Sequence, residues 1–286
     1  MGLVARRIVV VLVAVLTSLG IAGAGVVGPA GGVAPASPTS SHAVTTYTHA
    51  PGFPKSNELA NPSPQTTITL PMTTGALGDL VVALVHNGVY TPRSTIAYAT
   101  GVTDRAGAVT WRSAASVRAK DTSYPDTPAG QSYEVWYGVV KKAATPTTVT
   151  ATFRTPVTDL FLYLDQWGSS HGSRATWRFV TGSSVAVDTN ATTVDFPRLG
   201  SDDNAGIYWG YAYGSIHDTS MTAGSTPGFT YYKSPRFGNV ITYNGRLAAS
   251  TPRAPTCTQA FSGGTGWYDT IAAIFTDGSG AGVGTG

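Results

Sequence analysis

The chain has 286 residues, a formal net charge of +3, only 12% charged residues and a single cysteine. So weak a charge, with five lysines in all, leaves no electrostatic footprint for nucleic acid or an anionic membrane. One cysteine excludes an intrachain disulfide, so stability must come from a core, and a chain of this length can bury about 70% of its unfolded surface without staples.

Arg6 and Arg7 precede an uncharged, Val/Leu/Ala-rich run from Ile8 to Val27, the pattern of a secretory signal peptide over residues 1–24. Ala22-Gly23-Ala24 supplies the cleavage site, with Ala34-Pro35-Ala36 as the alternative. Loss of both arginines leaves 16 basic against 15 acidic residues, net +1, and no membrane segment in the mature chain. The location expected is therefore extracellular. Residues 25–44, rich in Gly, Ala, Pro and Ser, read as a flexible linker, and 277–286 as a glycine-rich tail.

Between them, residues 45–276 read as one β-sandwich domain. Strand-like runs occur at Gln65 to Leu70, Asp79 to His86, Thr95 to Ala99, Val109 to Arg118, Ser132 to Val140, Thr147 to Phe153 and Asp159 to Trp167. They continue at Trp177 to Val180, Thr192 to Phe196, Gly206 to Tyr213, Gly228 to Tyr232, Asn239 to Tyr243 and Trp267 to Phe275. Turn residues punctuate the gaps and no window sustains a 3.6-residue period; only Lys141 to Ala144 suits a helical turn. Leu80 to Val85 is apolar on both faces, as a strand covered on each side must be. In Gly206 to Gly214, Ile207, Trp209, Tyr211 and Tyr213 share one face, and Tyr208, Gly210 and Ala212 the other. The expected fold is all-β: an antiparallel two-sheet β-sandwich, jelly-roll-like, without a solenoid or propeller repeat.

Motifs with a chemical meaning are few. Gly23-Ala24-Gly25-Val26-Val27-Gly28 fits a dinucleotide fingerprint but lies in the signal region, with no strand before it and no helix after. Gly168-Ser169-Ser170-His171-Gly172 fits a nucleophile elbow, although no helix is expected to follow it. Of the two glutamates, Glu134 can be matched with Asp165 as a hydrolytic pair on one sheet face. If Thr147 to Phe153 pairs between their strands, about 10 Å separates them, the outer limit for inversion. His217, Lys233, Arg236 and Tyr243 are the residue types of a polysaccharide lyase. Tyr231-Tyr232-Lys233 with Tyr243-Asn244 faintly resembles the strand of jelly-roll alginate lyases, but the Gln-x-His and Arg-x-Glu-Leu elements of that family are missing. Asp202-Asp203-Asn204 offers oxygen ligands for calcium, too few to make a site alone. Cys257, between two threonines, reads as a small buried hydrophobe.

Gly78-Asp79-Leu80-Val81-Val82-Ala83-Leu84-Val85, Tyr133-Glu134-Val135-Trp136-Tyr137, Thr148-Val149-Thr150-Ala151-Thr152-Phe153 and Leu162-Tyr163-Leu164-Asp165 form an ordered series, closed by Thr270 to Phe275. It resembles the uncharacterised sandwich proteins of actinobacteria and their phages. The resemblance spans residues 65 to 276 and implies a jelly-roll-like sandwich in an extracellular or surface role; it brings no catalytic residues. Aromatic display in the C-terminal third remains. A non-catalytic binder of carbohydrate or a cell-surface partner is expected, using Tyr231, Tyr232, Trp267, Tyr268, His217 and Trp209, with no cofactor apart from the calcium option. A carbohydrate-active enzyme on the same fold and a structural or virion component are the alternatives.

Overall fold

The computed structural model describes residues 47–59, 64–88, 97–121, 131–187, 191–200, 206–214, 219–233, 240–244, 253–261 and 268–278. These form antiparallel strands and one three-residue 3-10 helix, Gly172–Arg174. The first half supplies β1 (Tyr47–His49), β2 (Lys55–Leu59), β3 (Gln65–Thr73), β4 (Leu80–Gly88), β5 (Ala99–Asp104), β6 (Val109–Asp121), β7 (Gln131–Val140), β8 (Pro146–Val157) and β9 (Leu160–Ser169). The second supplies β10 (Arg178–Val187), β11 (Thr193–Asp195), β12 (Ile207–Gly214), β13 (Thr219–Thr222), β14 (Thr230–Lys233), β15 (Val240–Asn244), β16 (Thr256–Phe261) and β17 (Tyr268–Thr276).

The all-β antiparallel sandwich expected from the sequence forms, with four sheets where two were expected. Strands β3-β8-β5 make an outer sheet that packs on β1-β9-β4-β7-β6, to which β2 adds beside β9. The other face of that sheet packs on β10-β17-β12-β15-β14, which in turn is covered by β11-β16-β13. Alternation along each inner strand drives the stacking. Leu80, Val82 and Leu84 of β4 enter the central core while Val81, Ala83 and Val85 enter the first outer core. Trp209, Tyr211 and Tyr213 of β12 fill the central core; Tyr208 and Ala212 fill the second outer one. A strand buried on both faces needs an uninterrupted apolar run, which is why β4, β12 and β17 have one. Burial of each large side chain contributes about 1.5–3 kcal/mol. The flat face at Gly210 is occupied: a methyl there would meet Phe196, Tyr208 and Thr242 at 3.0–3.2 Å.

The two halves repeat one topology. Strand order β1-β9-β4-β7-β6 with β3-β8-β5 is matched term by term by β10-β17-β12-β15-β14 with β11-β16-β13. Aligning Leu80 with Ile207, the first residues of β4 and β12, carries the registers of the two inner sheets onto each other. Val82 then corresponds to Trp209, Tyr137 to Tyr243, Asp165 to Ala273, Trp167 to Phe275 and His49 to Phe179. The spacing from Trp167 to Phe275 also superposes Thr148-Val149-Thr150-Ala151-Thr152-Phe153 on Thr256-Cys257-Thr258-Gln259-Ala260-Phe261, in which two of the three threonines and the phenylalanine are identical. Packing is repeated as well: Trp167 lies edge-on to Tyr243, and Phe275 is tilted against Tyr137.

Two expectations change at the boundaries. Lys141 to Ala144 is a turn with Ala144 at φ 46° and no helix. The fold runs through Asp277, which is buried and accepts from Tyr47 Oη at 3.2 Å, so the glycine tail begins after it. The signal region and the whole linker, residues 25–44, lie outside the described residues. Among the described residues no helix is long and apolar enough to cross a membrane.

Candidate functional site

The site forms where edge strands β1 and β14 meet across the central core. Alternation on β1 turns Tyr47 and His49 toward the same side. His49, 13% exposed, places Nε2 2.5 Å from Oδ1 of Asp165, which is itself 1% exposed. The Asp165 carboxylate also accepts from the Trp209 indole N–H at 3.1 Å and the Gln166 backbone N–H at 3.0 Å. The opposite imidazole nitrogen, Nδ1, faces Tyr232 Oη at 3.4 Å, and Tyr232 Oη lies 2.9 Å from Tyr243 Oη. The imidazole stacks on Tyr243 with centroids 4.5 Å apart and meets Trp167 edge-on at 4.9 Å. Burial, and then the hydrogen bond with Tyr232, hold the Tyr243 phenol above its ordinary range, so it stays a neutral donor.

Beside this network opens a cavity of about 500 Å³. His49, Trp167 and Tyr243 give it an aromatic floor, and Thr230, Asn244 and Arg253 a polar wall. A second cavity of about 380 Å³ lies on the Tyr232 side and is lined by Phe53, Tyr163 and Ile241 together with Lys55 and Lys233. Among the described residues no group of three or more His, Cys, Asp or Glu side chains is placed to hold a metal.

The internal repeat separates what packing needs from what it does not. At the corresponding place in the other half stand Phe179 for His49 and Ala273 for Asp165, with Val82 for Trp209. Phe179 packs on Phe275 as His49 packs on Trp167. The same interlock of sheets is thus achieved once with apolar side chains and once with a buried carboxylate, an imidazole and an indole N–H. Removing a carboxylate from water costs several kcal/mol, and an ion pair seldom returns more than a well-packed apolar group would. Fold stability alone gives no reason for the polar set.

Of the residues expected to bind, Tyr232 belongs to this site. Trp209 is fully buried and reaches it only through its N–H, and Tyr231, half-buried, faces the other way, against the second outer core. Tyr268 is 2% exposed; its hydroxyl accepts from Asp195 N–H at 3.2 Å. His217 and Trp267 lie outside the described residues, as do Asp202, Asp203 and Asn204 of the calcium option and Arg236 of the lyase set. Tyr243 and Asn244 of that set do line the cavity.

The hydrolytic pair is corrected. It is β4, not β8, that pairs between β7 and β9, and the two carboxylates project from opposite faces of that sheet. Asp165 bonds Trp209 in the central layer, whereas Glu134 accepts from Ala99 N–H and from Trp136 Nε1–H (3.2 Å) on the other side. The elbow motif leads into the 3-10 turn and no α-helix. There His171 Nδ1 faces both Asp277 Oδ2 (3.0 Å) and Ser169 Oγ (3.4 Å), so the serine it meets is the one before Ser170, the motif's central position. A further buried set, His86 stacked between Tyr133 and Phe161 at 4.3 and 4.6 Å, is enclosed in the central core. Cys257 is buried, its thiol pushed up to about 12 by desolvation and then by Asp195, as befits a core residue.

Comparisons with protein-family models, with curated proteins and with solved structures return no match. Function therefore rests on the site alone.

Proposed function

We propose that the protein is a secreted, non-catalytic carbohydrate-binding β-sandwich protein whose ligand enters the cavity bounded by His49, Trp167, Tyr243, Thr230, Asn244 and Arg253. The observation that carries this reading is the asymmetry of the two equivalent seams, one closed by Phe179 and Ala273 and the other furnished with His49, Asp165 and Tyr232. An aromatic floor with hydroxyl, amide and guanidinium groups on the wall suits a sugar ring, which offers an apolar face and a polar rim. The neutral Tyr243 phenol suits donation to a sugar oxygen better than proton abstraction.

Glycan-array and polysaccharide pull-down measurements on the mature chain test it. Wild type is expected to retain at least one glycan, and Thr230→Trp, which fills the exposed cavity wall, to lose it with no change in melting temperature. Failure of wild type to bind any glycan, or full binding by Thr230→Trp, overturns the reading.

One observation favours a second reading, a carbohydrate-active enzyme. Asp165 orients the imidazole of His49 while the other ring nitrogen faces a phenol, an order of groups that moves protons in acid–base catalysis. Release of products from a polysaccharide, abolished in His49→Ala, would decide for it.

A further inference from the structure

The two cavities at the seam do not stand alone. Lys55, which lines the cavity on the Tyr232 side, also lines a third and larger one of about 620 Å³, with Arg105, Thr73, Thr147 and Thr148 on its walls. The first and second cavities meet at the hydrogen-bonded rings of His49, Tyr232 and Tyr243, the first lined by His49 and Tyr243 and the second by Tyr232. The three are therefore successive neighbours, in a series that runs from Arg253 past Lys233 and Lys55 to Arg105.

Their lining is charged in one sense only. Among the described residues four cations line the three cavities and no carboxylate does, in a mature chain whose basic and acidic residues are nearly equal in number. Among the described residues none of the four has a carboxylate within salt-bridge distance. Arg253 donates to the Pro227 carbonyl at 3.3 Å, and Lys55 lies 5.7 Å from the centroid of the Phe53 ring. Two carboxylates of the region have other partners: Asp165 is buried beneath His49, and Asp104, next to Arg105 in the chain, accepts from Ala108 N–H, Val109 N–H and Thr147 Oγ1. Cations held apart from internal partners along a concave track attract an anionic chain and bind it at intervals.

We infer that the ligand is an acidic linear polysaccharide, a polyuronate, lying along the track from Arg253 to Arg105 with its carboxylates against the four cations and one sugar ring in the cavity beside His49. This rests on the carbohydrate reading above and adds the charge and extent of the ligand. Guanidinium forks at both ends suit carboxylates, and the threonine hydroxyls between suit sugar oxygens.

The test is affinity electrophoresis and calorimetry of the mature protein with polygalacturonate, alginate and hyaluronate, each against its methyl-esterified form. At least one free-acid polymer is expected to bind at least tenfold more tightly than its ester, and to weaken strongly between about 50 and 500 mM salt, where the screening length falls severalfold. Lys55→Ala, Arg105→Ala, Lys233→Ala and Arg253→Ala should each weaken it about threefold, as solvent-exposed pairs do, and the fourfold variant should abolish it with melting temperature unchanged. Retention of an esterified polymer as tightly as its acid, insensitive to these variants, overturns the acidic ligand and leaves the carbohydrate reading standing. Binding of no polymer, charged or neutral, overturns both.

Discussion

His49 and Phe179 stand at the same register position of the two equivalent edge strands, His49 against Trp167 and Phe179 against Phe275. The apolar seam is a control built into the molecule. Writing Phe179 and Ala273 into the polar seam as His49→Phe and Asp165→Ala, with Trp209→Phe to remove the indole donor while keeping an aromatic ring, should leave stability within about 1 kcal/mol of wild type or raise it, because apolar replacement of a buried ion pair is often neutral or favourable. Asp165→Ala alone should cost about 3 kcal/mol, since it strands the His49 and Trp209 donors in the core. Urea denaturation of the variants checks both. A triple variant that melts as badly as the single one would show that the polar set holds the sheets together.

The junction between the halves is fastened at Gly78. Its φ is 84°, the Trp177 indole donates to its carbonyl at 2.7 Å, and a methyl there would run into the backbone of Gly172 and Ser173. Gly78→Ala combines left-handed strain of about 1–2 kcal/mol with displacement of that backbone, and a loss of about 3 kcal/mol is expected in thermal or urea unfolding. A change below 1 kcal/mol would mean that the junction moves aside at little cost.

Asp159 gives the fold a pH dependence. Desolvation raises its carboxyl from 3.8 to about 6 in the folded protein. The folded chain thus keeps its proton to higher pH than the unfolded one: Asp159 costs nothing below about pH 4 and destabilises increasingly as pH rises through 6. Its φ of 49° suits asparagine equally, so Asp159→Asn isolates the charge. After discounting for solvent screening, the variant should gain about 1 kcal/mol at pH 8 and nothing at pH 3.5. An equal gain at both pH values would assign the effect to the backbone instead.

Cys257, buried with its thiol pushed up to about 12, should react with a thiol reagent at pH 8 only when the chain unfolds. Labelling of the native protein within minutes would show that the β11-β16-β13 sheet opens.

The inner strands were legible because both their faces are apolar: Leu80 to Val85 and Ile207 to Tyr213 can hardly be anything but covered strands. Strand β16 was not, since Thr256, Thr258 and Ala260 interrupt its inward residues Cys257 and Gln259 and leave no apolar alternation. Strand β1 has three residues and borrows its order from β9. The repeat stayed hidden because packing preserves the size and polarity of a position more than its identity, and Asp165 shares nothing with Ala273 except its place in a ladder. Tyr232 was found as an aromatic residue near a turn, whereas His49, 183 positions away, had no local mark. Asp165 drew notice as a carboxylate, but its partner could not be named without knowing which sheet lies over which.

The doubly covered inner sheets have one more consequence. Cut between Ser169 and Arg178, the first piece would bare Leu80, Val82, Leu84 and Tyr163, and the second Trp209, Tyr211, Ile271 and Phe275. Neither piece could stay single in water, and each would seek a twin or the other piece. Because the halves meet at two equivalent seams, the apolar one suffices to hold them together, and the side chains of the other are released from that duty.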